Sequence, residues 1–270
     1  MKTILVLFGA IIVGAWFFID ADVDRPLLEN RVAMGGMSKI AASASAELRP
    51  KAEDGMALWR PDFDEPSSDV ILTSIDSSNY PDEMKRAFRE ASNNLKIKGS
   101  FSGGKVTHEF VSDAFLKRRI SELGGLDGVR KKLSYSSVDL ASVLPGMDVV
   151  GADRTGVFTP EKGWGSAFYL LNERNGTRRI ELSEIYLGNN DTNLKKFSDN
   201  VNEYIAGVPA TVERLYDSNR KEIINVHWAS GGRDFSISTL NMSREEAMAI
   251  AERISSDAAR GAKGQGERKQ

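Results

Sequence analysis

The sequence predicts an α+β protein in which an N-terminal transmembrane helix precedes an antiparallel sheet with helices packed on one face. Three observations carry this. Thr3 to Ile19 is a run of 17 residues without a charge. After Pro145, stretches of alternating apolar residues are separated by turn-forming Asn-Gly, Asp-Ser-Asn and Ser-Gly-Gly sequences. Ser243 and Glu246 then form a Ser-x-x-Glu capping box in front of an apolar stripe at helical spacing.

Composition bounds the function. The 270 residues are 41% hydrophobic and 27% charged, with 36 Lys+Arg against 38 Asp+Glu, so the chain is of ordinary globular type and its net charge of −2 favours no nucleic-acid partner. No cysteine is present, which excludes disulfides, thiolate catalysis and Cys-ligated metals. Two histidines, His108 and His227, are too few for a site built from several imidazoles. No cofactor is expected.

The apolar run, Ile4-Leu-Val-Leu-Phe8 continuing through Ile11, Ile12, Val13 and Trp16-Phe17-Phe18, makes a helix ~26 Å long, at the short end of what spans a hydrocarbon core of ~30 Å. Lys2 precedes it and Asp20, Asp22 and Asp24 follow, so the positive-inside rule leaves the N-terminus in the cytoplasm and exports the remainder. An uncleaved signal-anchor competes with a cleaved signal peptide cut after Ala21. The bulky Trp16-Phe17-Phe18 and Ile19 crowd that cleavage site and favour the anchor over residues 1–19, in a bacterial inner membrane.

Residues 20–69 carry 11 acidic and 6 basic side chains with four prolines, and read as an acidic juxtamembrane stalk. The exported domain is expected at 70–256, with a basic helical part at 70–139 and a sheet part at 140–256; residues 257–270, rich in Gly, Lys and Gln, read as a disordered tail. In order, Val70–Ile75 reads as a strand. Pro81 opens a helix lined by Met84, Ala87, Phe88 and Ala91. A second helix over 111–123 turns Phe110, Ala114, Phe115 and Ile120 inward, and a third covers 126–133. Residues 164–173 and 177–187 form a hairpin around Asn175-Gly176. Residues 189–206 are expected to be helical in their second half, burying Phe197, Val201, Tyr204 and Ile205. Strands at 210–216, 222–229 and 234–240 follow. Ile224, Val226 and Trp228 share one parity with Phe235 and Ile237 beneath the closing helix, and His227 falls on the opposite, outward face.

The candidate chemical motifs are weak. Gly99-Ser-Phe-Ser-Gly-Gly104-Lys105 resembles a phosphate loop, but Val106 stands where a hydroxyl must hold magnesium. Asp20, Asp22 and Asp24 imitate a calcium loop whose glycine and glutamate would fall on Arg25 and Arg31. Neither histidine has a serine elbow, orienting carboxylate or ligand spacing beside it, so no catalytic, cofactor or metal residue is assigned. The sequons at Asn175, Asn190 and Asn241 are given no function.

Charge is unevenly spread. Residues 85–132 hold 12 Lys+Arg and 5 Asp+Glu, a local +7 that includes Lys117-Arg118-Arg119 and Arg130-Lys131-Lys132. These six residues are the candidate partner-binding set, fitted to an acidic protein or an anionic bilayer. Export and the scarcity of interleaved aromatics disfavour nucleic acid.

Residues 207–254 run Gly-Val-Pro-Ala, two strands around Trp228, Phe235-Ser-Ile-Ser-Thr and Ser243-Arg-Glu-Glu-Ala. This segment resembles the closing part of uncharacterised exported α+β domains of single-pass bacterial membrane proteins, some fused to anti-sigma factors. The resemblance covers under a fifth of the chain and implies fold and compartment; only Met1 and Lys2 precede the apolar run, which leaves no sigma-binding segment. The expected function is a non-enzymatic accessory, assembly or scaffold subunit of a membrane complex, acting through protein–protein contacts. Two alternatives stand beside it: a carrier of an apolar ligand or lipid, and a cell-envelope hydrolase using two carboxylates.

Overall fold

A computed structural model describes residues 57–59, 70–104, 108–187 and 194–266. The predicted membrane span, most of the stalk and the sequon at Asn190 lie outside these residues. Among the described residues no helix is long and apolar enough to cross a membrane.

The architecture is α+β. Seven strands form one antiparallel sheet in the order β3-β4-β5-β10-β9-β8-β7: β3 (Met147–Thr159), β4 (Gly163–Glu173), β5 (Arg179–Tyr186), β7 (Glu203–Ile205), β8 (Val208–Tyr216), β9 (Glu222–Ser230) and β10 (Arg233–Leu240). A second sheet of three short strands has the order β1-β2-β6, from β1 (Ala57–Trp59), β2 (Val70–Thr73) and β6 (Leu194–Phe197). The helices are α1 (Asp82–Lys98), α2 (Asp113–Glu122), α3 (Gly125–Arg130), α4 (Leu140–Val143) and α5 (Arg244–Gly266).

One face of the large sheet is apolar and packs on α5. Register places Trp228 opposite Phe235 and Ala210, and both Trp228 and Phe235 are fully buried with Ile237, Val226 and Leu182. The Trp228 indole N–H donates to Ser255 Oγ of α5 at 2.8 Å, which satisfies a buried polar group that would otherwise be costly. Helix α5 begins as the capping box requires: Glu246 N–H donates to Ser243 Oγ at 3.2 Å and Ser243 N–H to Glu246 Oε2 at 2.8 Å. It continues to Gly266, past the point at which a disordered tail was expected.

The opposite face is polar and also covered. Glu181, Ser238, Asn225 and Glu213 lie in one row across β5, β10, β9 and β8, and Ser183, Ser236, His227 and Thr211 in the next. Glu181 and Glu213 are buried, their carboxylates bonded from the neighbouring loop by Val111 N–H at 2.5 Å and Phe101 N–H at 2.9 Å. Helix α2 reaches this face too, through Arg119 to Asp153 of β3. The sheet is therefore covered on both faces, not open on one as the alternation of apolar residues suggested.

Four further expectations are corrected. The segment 194–205 is not helical: it forms β6, a 3₁₀ turn (Ser198–Asn200) and β7, so Ile205 is buried while Tyr204 points to solvent. In α2 the buried residue is Leu116, and Ile120 is partly buried against the main core; Ala114 and Phe115 are exposed, a rotation of one residue from the expected face. Strand β3 was not expected, because Gly151, Gly156 and three charged residues break its alternation, and bulges interrupt it at Val149/Gly151 and Thr155/Phe158. His227 is only partly exposed and bonds Asp234 at 2.9 Å.

Candidate functional site

The six predicted basic residues do not act as one surface. Arg119 is committed to the fold: Nε and Nη2 donate to the two oxygens of Asp153 at 3.0 and 3.1 Å, and Nη1 to Glu122 at 2.9 Å. Arg130 turns inward and donates to the Val138 carbonyl at 3.0 Å, tying α3 to the loop before α4. Arg118 is exposed, lying 3.4 Å from Glu122 and over the Phe115 ring at 6.0 Å. Lys117, Lys131 and Lys132 are exposed, and no carboxylate partner is recorded for them among the described residues.

Lys131 and Lys132 instead join a cleft of about 410 Å³ at the tip of the β3–β4 hairpin, with Arg154, Phe158, Glu161, Lys162 and Trp164 among its lining residues. The backbone explains how. After α3 the chain runs beside the start of β4, Trp164 N–H donating to Lys132 O at 2.8 Å and Ser134 N–H to Trp164 O at 2.9 Å. Gly163 makes this approach possible. Its φ is +103°, and a Cβ there would sit 2.4 Å from Lys132 O. On the hairpin's other strand, Gly156 at φ +75° sits in the bulge that offsets Thr155 from Phe158.

Trp164 is the centre of the cleft. The Phe158 ring lies 5.4 Å from it and the Arg154 guanidinium 5.9 Å over its face, a cation–π geometry. Four cations, Lys131, Lys132, Arg154 and Lys162, surround these rings with the single carboxylate of Glu161. In the same stretch of β3, Val157 is 75% and Phe158 51% exposed. Arg154, Phe158, Lys162 and Trp164 were not anticipated. Their available signal was Val157-Phe158 and Trp164 flanking the turn residues Pro160-Glu-Lys-Gly163, which mark a hairpin once β3 is recognised as a strand.

The buried titratable groups serve the fold. Burial pushes the Glu213 carboxyl up to about 7, against the bonds from Phe101 N–H and Ser100 that favour its charged form. Glu184 is pushed up to about 7 by burial, opposed by Arg233, whose guanidinium donates to it at 2.6 Å. Lys196 of β6 is buried with its ammonium 3.8 Å from Asp234; burial lowers its pKa, and the same carboxylate opposes the drop. Glu181 and Glu213 stand three strands apart, ~14 Å at the usual strand spacing, beyond the separation that paired carboxylates need for glycoside hydrolysis. Gly99, in the left-handed region at φ +70°, closes α1, so the glycine-rich stretch is a helix C-cap and turn as far as Gly104; Lys105 to Thr107 lie outside the described residues. Asn175 and Asn241 take positive φ of 61° and 58°, the backbone need that explains both asparagines.

No family model, curated protein or solved structure matches this chain.

Proposed function

We propose that the protein is a single-pass, membrane-anchored scaffold or assembly subunit without enzymatic activity, whose exported domain binds an acidic protein partner. The observation that carries this reading is the division of the basic residues. Arg119 and Arg130 are consumed by internal bonds, while Lys117 and Arg118 remain on the outside of α2 and Lys131 and Lys132 are exposed in the turn that follows α3. Phe115, 38% exposed beside Lys117 and Arg118, adds an apolar contact of the kind interface centres use. The charge-free run Thr3–Ile19 and the resemblance of residues 207–254 to exported domains support the compartment.

The alternatives fare less well. A carrier needs an apolar pocket, and the hairpin cleft, lined by four cations, does not supply one. A carboxylate hydrolase needs two facing acids, and Glu213 is already bonded by Phe101 and Ser100 with Glu181 three strands away.

The test places a photo-crosslinking phenylalanine analogue at position 115 of the full chain in cells. A discrete adduct that falls several-fold in a Lys117→Glu/Arg118→Glu background, with unchanged thermal stability, is expected. An adduct indifferent to charge reversal contradicts the reading. Arg119 is left intact, because reversing it would break the Asp153 bonds and confuse binding with folding.

A further inference from the structure

Arg154 departs from the pattern that the other arginines follow. Among the described residues, Arg119, Arg130, Arg154, Arg179, Arg233 and Arg244 are the arginines that are half-buried or buried. The other five each donate to an oxygen, of Asp153, Val138, Val111, Glu184 and Glu203 in turn. The Arg154 guanidinium donates to none among the described residues. Its Nε is buried, and its group lies 5.9 Å over the Trp164 ring. Taking a charge partly out of water without an oxygen to receive its N–H groups is costly, and an indole face returns only part of that cost.

This unmatched group lines the hairpin cleft together with Lys131, Lys132 and Lys162, none of which pairs with a carboxylate among the described residues. Glu161 is the one acid in the lining, so four positive charges face one negative. Trp164 and Phe158 form a bent aromatic wall, their centroids 5.4 Å apart and their planes at 44°. The backbone bond from Trp164 N–H to Lys132 O ties the segment carrying the lysines to the strand carrying the ring. The cleft of about 410 Å³ has the size of a small-molecule site.

We infer that the cleft binds a small phosphate monoester with a ring-shaped body, its phosphate taken by the fork of Arg154 within the field of Lys131, Lys132 and Lys162, its ring laid on Trp164 and Phe158. A phosphate suits the site better than a carboxylate, because it brings up to two negative charges and three acceptor oxygens to a surplus of cations. An acidic side chain of a protein would meet the cations but has no ring for the aromatic wall. The inference goes beyond the proposed protein contact, which leads with Phe115, Lys117 and Arg118, so either can fail alone.

The full chain in non-ionic detergent is titrated with phenyl phosphate, glucose-6-phosphate, inorganic phosphate and tetraglutamate. Binding is read by calorimetry and by the NMR signal of the Trp164 indole N–H, assigned from its loss in Trp164→Phe. At least one organic phosphate should bind about fivefold or more tightly than inorganic phosphate and move the Trp164 signal; which of the two binds better tells an aromatic ring from a sugar. Arg154→Gln should lower that affinity about tenfold at unchanged Tm, and Arg154→Lys, which keeps the charge and loses the fork, should fall between. Lys162→Gln alters only an exposed turn residue and should lower it about threefold, which decides the matter if Arg154→Gln melts early. Absence of binding by either organic phosphate up to about 10 mM overturns the proposal. So does a Trp164 signal that stays in place, an affinity indifferent to both Arg154→Gln and Lys162→Gln, or tighter binding of tetraglutamate, which would assign the cleft to an acidic protein.

Discussion

Gly163→Ala should dismantle the cleft, and its cost can be worked from geometry. A residue with a Cβ at φ +103° is in a region that costs on the order of 1–3 kcal/mol. The new Cβ would also lie 2.4 Å from Lys132 O, a backbone atom that cannot swing aside as a side-chain end can. Relieving that contact moves Lys132 off β4 and loosens two hydrogen bonds, Trp164 N–H to Lys132 O and Ser134 N–H to Trp164 O, at about 1 kcal/mol each. The total is about 3–5 kcal/mol, which for a domain of this size lowers Tm by about 10 °C. Gly232→Ala is the matched control: its φ is +71° and a Cβ there meets nothing within 4 Å, so it bears the conformational cost alone, about 1 kcal/mol. Thermal melts of the two variants, with hydrogen exchange at the Trp164 and Ser134 amides, decide the matter. If Gly163→Ala costs no more than Gly232→Ala, or leaves those two amides protected, the Lys132 contact does not hold the cleft together and the reasoning fails.

Three further outcomes are expected. Arg119→Ala, which strips a half-buried Asp153 of both its guanidinium bonds, should destabilise by about 1–3 kcal/mol, while Lys117→Glu stays within about 0.5 kcal/mol; urea titration of both variants checks the contrast. Glu213 has its folded pKa raised from 4.5 to about 7, so the folded state holds the proton longer than the unfolded one: its favourable contribution is present below 4.5 and lost as pH rises to about 7, at most about 3 kcal/mol. Unfolding free energies of wild type and Glu213→Gln measured across that interval should therefore diverge in slope, the wild type falling more steeply; parallel slopes would show that Glu213 titrates normally. Ser255→Ala leaves the fully buried Trp228 indole N–H without its acceptor and should cost about 1–3 kcal/mol, read as a drop in Tm; Ser256→Ala, on the exposed side of α5, should lose far less.

How far the sequence could be read depends on whether each signal was local. The capping box at Ser243 and Glu246 involves residues three apart and formed as its side chains require. The strands around Trp228 were legible because their apolar parity is strong and their turns contain Gly, Asn and Asp. In the hairpin, Asn175 does take positive φ, though within a connection of five residues, 174–178, longer than a tight turn. The misses have a common cause in tertiary contacts. Residues 194–205 have helix-compatible spacing, but Leu194–Phe197 gain more by pairing in parallel with β2, and Val208 recruits Ile205 as the edge of the sheet. Strand β3 conceals itself because Gly151 must lack a side chain where Leu116 of α2 would lie 2.4 Å from a Cβ. The polar sheet face misled for the same reason: Glu181, Glu213 and Asp234 suggest a solvated surface, and only the fold brings Val111, Phe101 and Lys196 over them. Of the candidate site, the six cations were visible as charge runs. Which of them are free was not, since Asp153 and the Val138 carbonyl reach Arg119 and Arg130 across the chain.

The central claim is that this domain works on the outer side of a membrane that holds it by residues 3–19. A tag on the C-terminus, followed in intact spheroplasts to which protease is added, tests it most directly. The account predicts that the tag is destroyed from outside while the untreated protein sediments with the membranes and resists extraction by salt. A tag protected until the spheroplasts are lysed would place the domain in the cytoplasm, contradict the topology and return nucleic acid as a partner for Lys117, Arg118, Lys131 and Lys132.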